Sequence, residues 1–186
     1  MKRTMLFVMA GLLLGGAAYT GYADTDGDAT VHVYVEVLPN VAVGAPFASV
    51  SAGSVQSGEF SCTITFTVDA NLQKVWLSAE VTPLFKGDDP NGTEVPPIPI
   101  DLTKGVEITC DHATPTGASD NILDYVTPGT LDGFPSQSTD STEFESSQNN
   151  HFSQNVYAKV TWNQDDPEKP TGEYSGLVKL MAVIVP

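Results

Sequence analysis

Several stretches of the chain alternate strictly between apolar and polar positions. Thr30–Leu38 (TVHVYVEVL) sets Val31, Val33, Val35 and Val37 on one side and His32, Tyr34 and Glu36 on the other. Phe60–Val68 sets Phe60, Cys62, Ile64, Phe66 and Val68 against Ser61, Thr63, Thr65 and Thr67. A period of two marks a strand with one buried face, so both stretches predict strands. Val75–Val81 alternates through Leu77 and Ala79, and Val106–Cys110 predicts a short strand. Phe152–Trp162 carries Val156, Ala158, Val160 and Trp162 opposite Asn155, Tyr157, Lys159 and Thr161. Glu173–Val185 begins by alternating and ends apolar on both faces, which predicts a strand covered on both sides.

No stretch shows an apolar period of 3.6 residues. Ser119–Tyr125 is the one helical candidate and reads as a turn or short helix. The 13 prolines fall mostly between the predicted strands, where turns are expected. Lys86–Pro99 predicts a long loop. Thr127–Asn150 is polar, with a short strand at Thr142–Glu145. Asn163–Gly172 joins the last two strands as a hairpin. Many short strands, turn chemistry between them and no helices predict an all-β fold, an antiparallel two-sheet sandwich in a single domain spanning 24–186.

The N-terminus does not follow this pattern. Met1, Lys2 and Arg3 are a short basic region, Met5–Ala18 is apolar and uncharged, and Gly21-Tyr22-Ala23 supplies small residues at the two positions a signal peptidase reads. Residues 1–23 therefore predict a signal peptide, with Asp24 opening the mature chain. The apolar run of 14 residues is short of the roughly 20 a helix needs to span a bilayer, so stable membrane insertion is not expected. No Cys follows it, so no lipid attachment is indicated. The expected destination is the periplasm, the cell surface or the extracellular space.

Export changes the meaning of charge and cysteine. Lys2 and Arg3 leave with the leader, so six Lys face 23 Asp and Glu in the mature chain, a net charge of −17. Nucleic-acid partners are excluded, because that binding rests on Lys and Arg neutralising phosphates. Anionic lipid headgroups are excluded for the same reason. Cys62 and Cys110 are the two cysteines, and an isolated pair in an oxidising compartment predicts a disulfide. Closing that loop would stabilise the fold by about 4 kcal/mol on the chain-entropy argument.

Candidate chemistry is sparse. Asp24, Asp26 and Asp28, with Gly27 among them, resemble the opening of a calcium loop, but Val35 stands where the twelfth-position Glu belongs. Calcium is the one cofactor considered, and an acidic leader is the competing reading. Asp88-Asp89 and Asp165-Asp166 each precede Pro and read as solvated turns. His32, His112 and His151 have no zinc spacing, and no GxSxG elbow occurs. No catalytic residue is therefore assigned. Trp162 shares a face with Val156 and Val160 and predicts a core ring, whereas Trp76 and Tyr157 fall on the polar phase and predict surface rings.

The last strand pair, ending Gly172-Glu173-Tyr174-Ser175-Gly176-Leu177-Val178-Lys179-Leu180, resembles the closing hairpin of bacterial fimbrial subunits of the chaperone–usher kind, where a G-x-Y-x-G/D segment leads into the final strand. The alternating run Val31–Val37 resembles the strand such subunits insert into a neighbour. The resemblance implies an immunoglobulin-like fold, association with copies of itself or related subunits by strand addition through Val31, Val33, Val35 and Val37, and no catalysis. A structural or adhesive surface subunit is the expectation; a secreted module binding glycan or calcium is the alternative.

Overall fold

The computed structural model describes residues 32–92, 94–116, 122–123 and 125–184. The predicted leader, its cleavage point and Thr30–Val31 lie outside them. The chain divides at Glu36/Val37 into two units. In the described part of the first, residues 32–36, there is no strand; the His32 and Tyr34 rings stand 5.6 Å apart.

The second unit is built from strands alone among the described residues: β1 (Val41–Gly44), β2 (Gly58–Ala70), β3 (Lys74–Val81), β4 (Phe85–Lys86), β5 (Val106–Cys110), β6 (Ala113–Pro115), β7 (Ile122–Leu123), β8 (Tyr125–Leu131), β9 (Phe134–Thr139), β10 (Thr142–Ser146), β11 (Phe152–Gln164), β12 (Tyr174–Ser175) and β13 (Val178–Ile184). Every pairing is antiparallel. One sheet runs β1-β2-β11-β5-β7. The other centres on β3: β13 pairs its length from Val75 to Val81, while β10 takes Lys74–Leu77 and β9 takes Glu80–Val81. β6 extends β10, β8 extends β9, and β12 with β4 makes a separate ribbon.

The alternating residues explain why these two sheets close on each other. Val68, Val106, Ile108, Val156, Ala158, Val160 and Trp162 from the first share one buried cluster with Val75, Leu77, Ala79, Val81, Phe144 and Leu180 from the second. Burying a branched aliphatic side chain is worth about 1.5–3 kcal/mol, and apolar period-2 faces have no other way to leave water. Trp162 is in that core, its indole N–H donating to the Thr82 carbonyl at 3.2 Å.

Several expectations need correction. Residues 32–38 form no strand and are exposed: alternation defines an apolar face, but a strand also needs a ladder partner, and no ladder among the described residues includes them. The first strand is instead Val41–Gly44, held at its start by Asn71, which accepts from the Asn40 N–H at 2.7 Å and donates to the Leu38 carbonyl at 2.8 Å. Asn163–Gly172 is not a hairpin; it crosses from one sheet to the other, because β11 pairs β2 and β5 whereas β13 pairs β3. The predicted strand Glu173–Val185 breaks at Gly176, where a Cβ would lie 2.7 Å from both the Pro83 carbonyl and the Thr82 hydroxyl. β13 is an edge strand and not covered on both sides: Leu180 is its one buried residue and Val183 is 60% exposed. Ile122–Leu123 and Tyr125 are strand, not the turn or helix expected there.

The expected Cys62–Cys110 bridge is also absent; both are free thiols. Cys62 stands opposite Val160 and Cys110 opposite Val156, on strands that flank β11 from either side. Two strand spacings and four residues of offset place them about 16 Å apart, beyond the roughly 7 Å limit for bridged Cα atoms.

Candidate functional site

The apolar face of β2 is covered unevenly. Ala70, Val68 and Phe66 are buried, but Ile64, Cys62 and Phe60, on the same face of the same strand, are only half-covered. The change follows the ladder. β1 pairs β2 from Thr67 to Ala70 and stops at Gly44. From Gly58 to Phe66, β2 is paired on one side by β11 and, among the described residues, has no strand on the other. In the facing sheet, β13 pairs β3 on one edge and, among the described residues, no strand on the other.

Beside the free length of β2 runs a groove of about 1180 Å³, bounded by residues 47–57 on one side and by 169–178 on the other, with Val178 its one β13 residue. Its wall is the uncovered face of β2, with Phe60 stacked on Trp162 at 6.0 Å between ring centroids. Leu84, Ile98, Trp162 and Val178 also line it. Near Gly172–Ser175 the lining turns polar: Tyr174 donates to the Pro170 carbonyl at 2.8 Å, and the Lys169 ammonium is held by the Pro96 and Pro97 carbonyls at 2.8 and 3.4 Å. The free edge of β2, with main-chain donors and acceptors beside an apolar slot, suits an extended peptide.

Cys62 lines the groove and Cys110 does not. Burial raises the Cys62 thiol above its ordinary range. Burial, with Asp111 adding to it, pushes Cys110 up to about 12. Both stay protonated at neutral pH, so neither is an activated nucleophile.

A second, smaller cleft of about 350 Å³ gathers Thr67, Asp69, Asp111, His112, Ser153 and Asn155. Its carboxylates already have partners: Asp69 accepts from the Ser153 hydroxyl, and Asp111 accepts from Asn155 and from the Tyr157 hydroxyl, each at 3.0 Å. The sequence offers no signal for this cleft, because its members come from two strands distant in sequence, β2 and β11, and from the loops after β5 and before β11.

The candidate residues are dispersed. Asp24, Asp26, Asp28 and Val31 lie outside the described residues. Val33, Val35 and Val37 are 75–85% exposed. Asp88 accepts from the Ser175 hydroxyl at 2.8 Å, and Asp166 accepts from the Glu168 N–H at 2.9 Å. Among the described residues, no three of His, Cys, Asp and Glu gather as a metal-binding set, and no helix is long and apolar enough to cross a membrane. Trp76 is a surface ring, 40% exposed. Sequence reasoning found the groove's wall, Phe60 to Phe66, but took it for ordinary core.

No protein-family model, no curated protein and no solved structure matches this chain.

Proposed function

We propose that this chain is an exported, non-catalytic, immunoglobulin-like subunit that joins copies of itself or related chains by strand addition, as a structural or adhesive element of the cell surface. The observation that carries the reading is the groove beside the free length of β2, with that strand's edge along it and a half-covered apolar wall. The free length of β2, Gly58–Phe66, is nine residues, the same as Thr30–Leu38. Inserted as a strand, Thr30–Leu38 of a neighbouring copy sets Val31, Val33, Val35 and Val37 inward at the two-residue spacing of Phe60, Cys62, Ile64 and Phe66. His32, Tyr34 and Glu36 then face water. The main chain supplies affinity along the β2 edge, and the valine pegs supply register. The leader supports export, and N-terminal sequencing of the secreted form reads Asp24 if the cleavage is as proposed.

The test uses the full-length chain and a variant with Val31, Val33, Val35 and Val37 changed to Ser. Wild-type protein forms a concentration-dependent ladder of multimers by light scattering and negative-stain imaging. The Ser variant stays monomeric, and a synthetic Thr30–Leu38 peptide raises its melting temperature. Wild-type protein that remains monomeric at high concentration, together with a peptide that shifts nothing, ends the proposal.

A further inference from the structure

The groove is open because β1 stops at Gly44, and the register shows what continuing would require. In the β1–β2 ladder Val41 faces Ala70, Val43 faces Val68 and Gly44 faces Thr67. Carried on in step, Ala45 meets Phe66, Phe47 meets Ile64, Ser49 meets Cys62 and Ser51 meets Phe60. Directly opposed residues share a face of the sheet, so this extension turns Ser49 and Ser51 into the apolar slot. Pro46, lying between, has no N–H to give a ladder. Ala45–Ser57 in fact forms no strand. It arches along the groove as part of its lining, with Phe47 63% and Val50 46% exposed and Val55 alone half-buried. Its apolar Ala48, Val50 and Ala52 fall on the outward phase of that register. One polar contact lies within it, the Gly53 N–H donating to the Ser51 hydroxyl at 3.2 Å.

We infer that Pro46, Ser49 and Ser51 keep the groove from being closed by the chain's own β1, and so reserve it for a strand from another copy. The inference rests on the strand-acceptor reading above and adds how self-closure is prevented. A hydroxyl placed in an apolar slot without a partner is penalised, and a missing N–H costs one rung. A foreign strand carrying valine at the same inward positions has neither defect.

All test proteins are full-length and carry Ser at positions 31, 33, 35 and 37, so that no copy supplies its own strand. One variant adds Pro46→Thr, Ser49→Val and Ser51→Val. A second adds Pro46→Thr, Ser49→Thr and Ser51→Thr, which matches the first in shape but keeps the hydroxyls. Binding of a fluorescent Thr30–Leu38 peptide is followed by anisotropy, and hydrogen exchange is read over Gly58–Phe66. The valine variant loses at least about tenfold in peptide affinity, the equivalent of one buried hydroxyl penalty or more. It also melts higher and protects the β2 edge amides. The threonine variant regains the rung at 46 but keeps the hydroxyls, so it loses clearly less peptide affinity and protects the β2 edge less than the valine variant. Equal peptide binding and equal exchange in background and valine variant overturn the inference, as does a threonine variant that closes as fully as the valine one. If the background binds no peptide while the valine variant still gains stability and edge protection, the self-closure rule stands and the strand-acceptor reading fails.

Discussion

Ile64 and Ile108 provide a matched test of whether the groove is open in solution. They occupy one rung of the first sheet, both opposite Ala158, on β2 and β5 respectively. Both face inward. Ile108 is fully buried, whereas Ile64 is half-covered and lines the groove. Ile108→Ala removes the transfer energy of the lost carbons and leaves a sealed cavity, for a loss of about 2–5 kcal/mol. Ile64→Ala opens onto a space that water already enters, so no cavity term arises and only the covered part of the side chain counts, about 1 kcal/mol. Urea unfolding of the two variants reads this gap directly. The order changes when a strand is bound. Ile64 is then covered by a valine peg, and its truncation weakens the Thr30–Leu38 peptide by about 1–2 kcal/mol, roughly 5- to 30-fold in Kd. Ile108→Ala leaves that affinity nearly unchanged. An Ile64→Ala cost equal to that of Ile108→Ala in the free protein would refute the open groove. Equal losses of peptide affinity would refute the valine strand as its occupant.

Three further outcomes follow from single contacts. Denatured, unreduced protein titrates two free thiols, and native Cys110 reacts more slowly than Cys62 because it is the more deeply buried; a mass two hydrogens lower than the dithiol overturns the geometry derived from the β2–β11–β5 register. Asp101 accepts from the Thr103 hydroxyl at 2.7 Å, the Thr103 N–H at 2.8 Å and the Lys104 N–H at 3.2 Å, and these bonds, the hydroxyl's foremost, hold its carboxyl below the ordinary range. Its folded pKa is thus below its unfolded one, so its contribution is present above the unfolded value near 4 and is lost as pH falls through the folded value; Asp101→Asn flattens the acid limb of the urea midpoint measured against pH, and an unchanged limb removes the assignment. Gly176→Ala forces a Cβ against the Pro83 carbonyl and Thr82 hydroxyl and costs about 1–3 kcal/mol as overpacking, read as a lowered melting temperature; full tolerance would mean that the chain passes from β12 to β13 by another path.

The strands legible in the sequence are those whose inward faces are apolar. β2, β3, β5, β10 and β11 all lie where alternation or a short β-rich run predicted them. The hairpin of β8 and β9 was not foreseen, although its turn was in plain view. Leu131 pairs Phe134 across Asp132-Gly133, with φ of 49° and 87°, the two-residue loop that an Asp-Gly pair favours. What hid it is the chemistry of its strands. β9 buries Ser136 and Thr139 in place of aliphatic residues, and satisfies them by donation from Ser136 to Glu80 at 2.7 Å and acceptance by Thr139 from the Ala79 N–H at 2.9 Å. A hydropathy pattern cannot register hydroxyls as buried positions. The crossover at Asn163–Gly172 failed for a different reason. Neighbouring strands in sequence usually pair, but β13 is recruited by the full length of β3 in the other sheet, a long-range preference that no local window contains.

The groove lay beyond the sequence reading for a reason of the same kind. Phe60–Val68 alternates uniformly, yet Val68 is sealed and Ile64 is not. Alternation states which face is apolar; whether that face is covered depends on where the neighbouring strand ends. Here that end is set by Gly44, and the residues beyond it, Pro46, Ser49 and Ser51, look like unremarkable loop until the β1–β2 register assigns each a partner on β2. The converse holds for Thr30–Leu38. Its alternation is as regular as that of β2, but among the described residues no ladder includes 32–38, and Val33, Val35 and Val37 are exposed. An apolar strand face without its neighbour and an apolar strand segment without its sheet are each unfavourable alone, by the same transfer energy per valine-sized group. Under the proposed strand addition, one encounter between two copies relieves both.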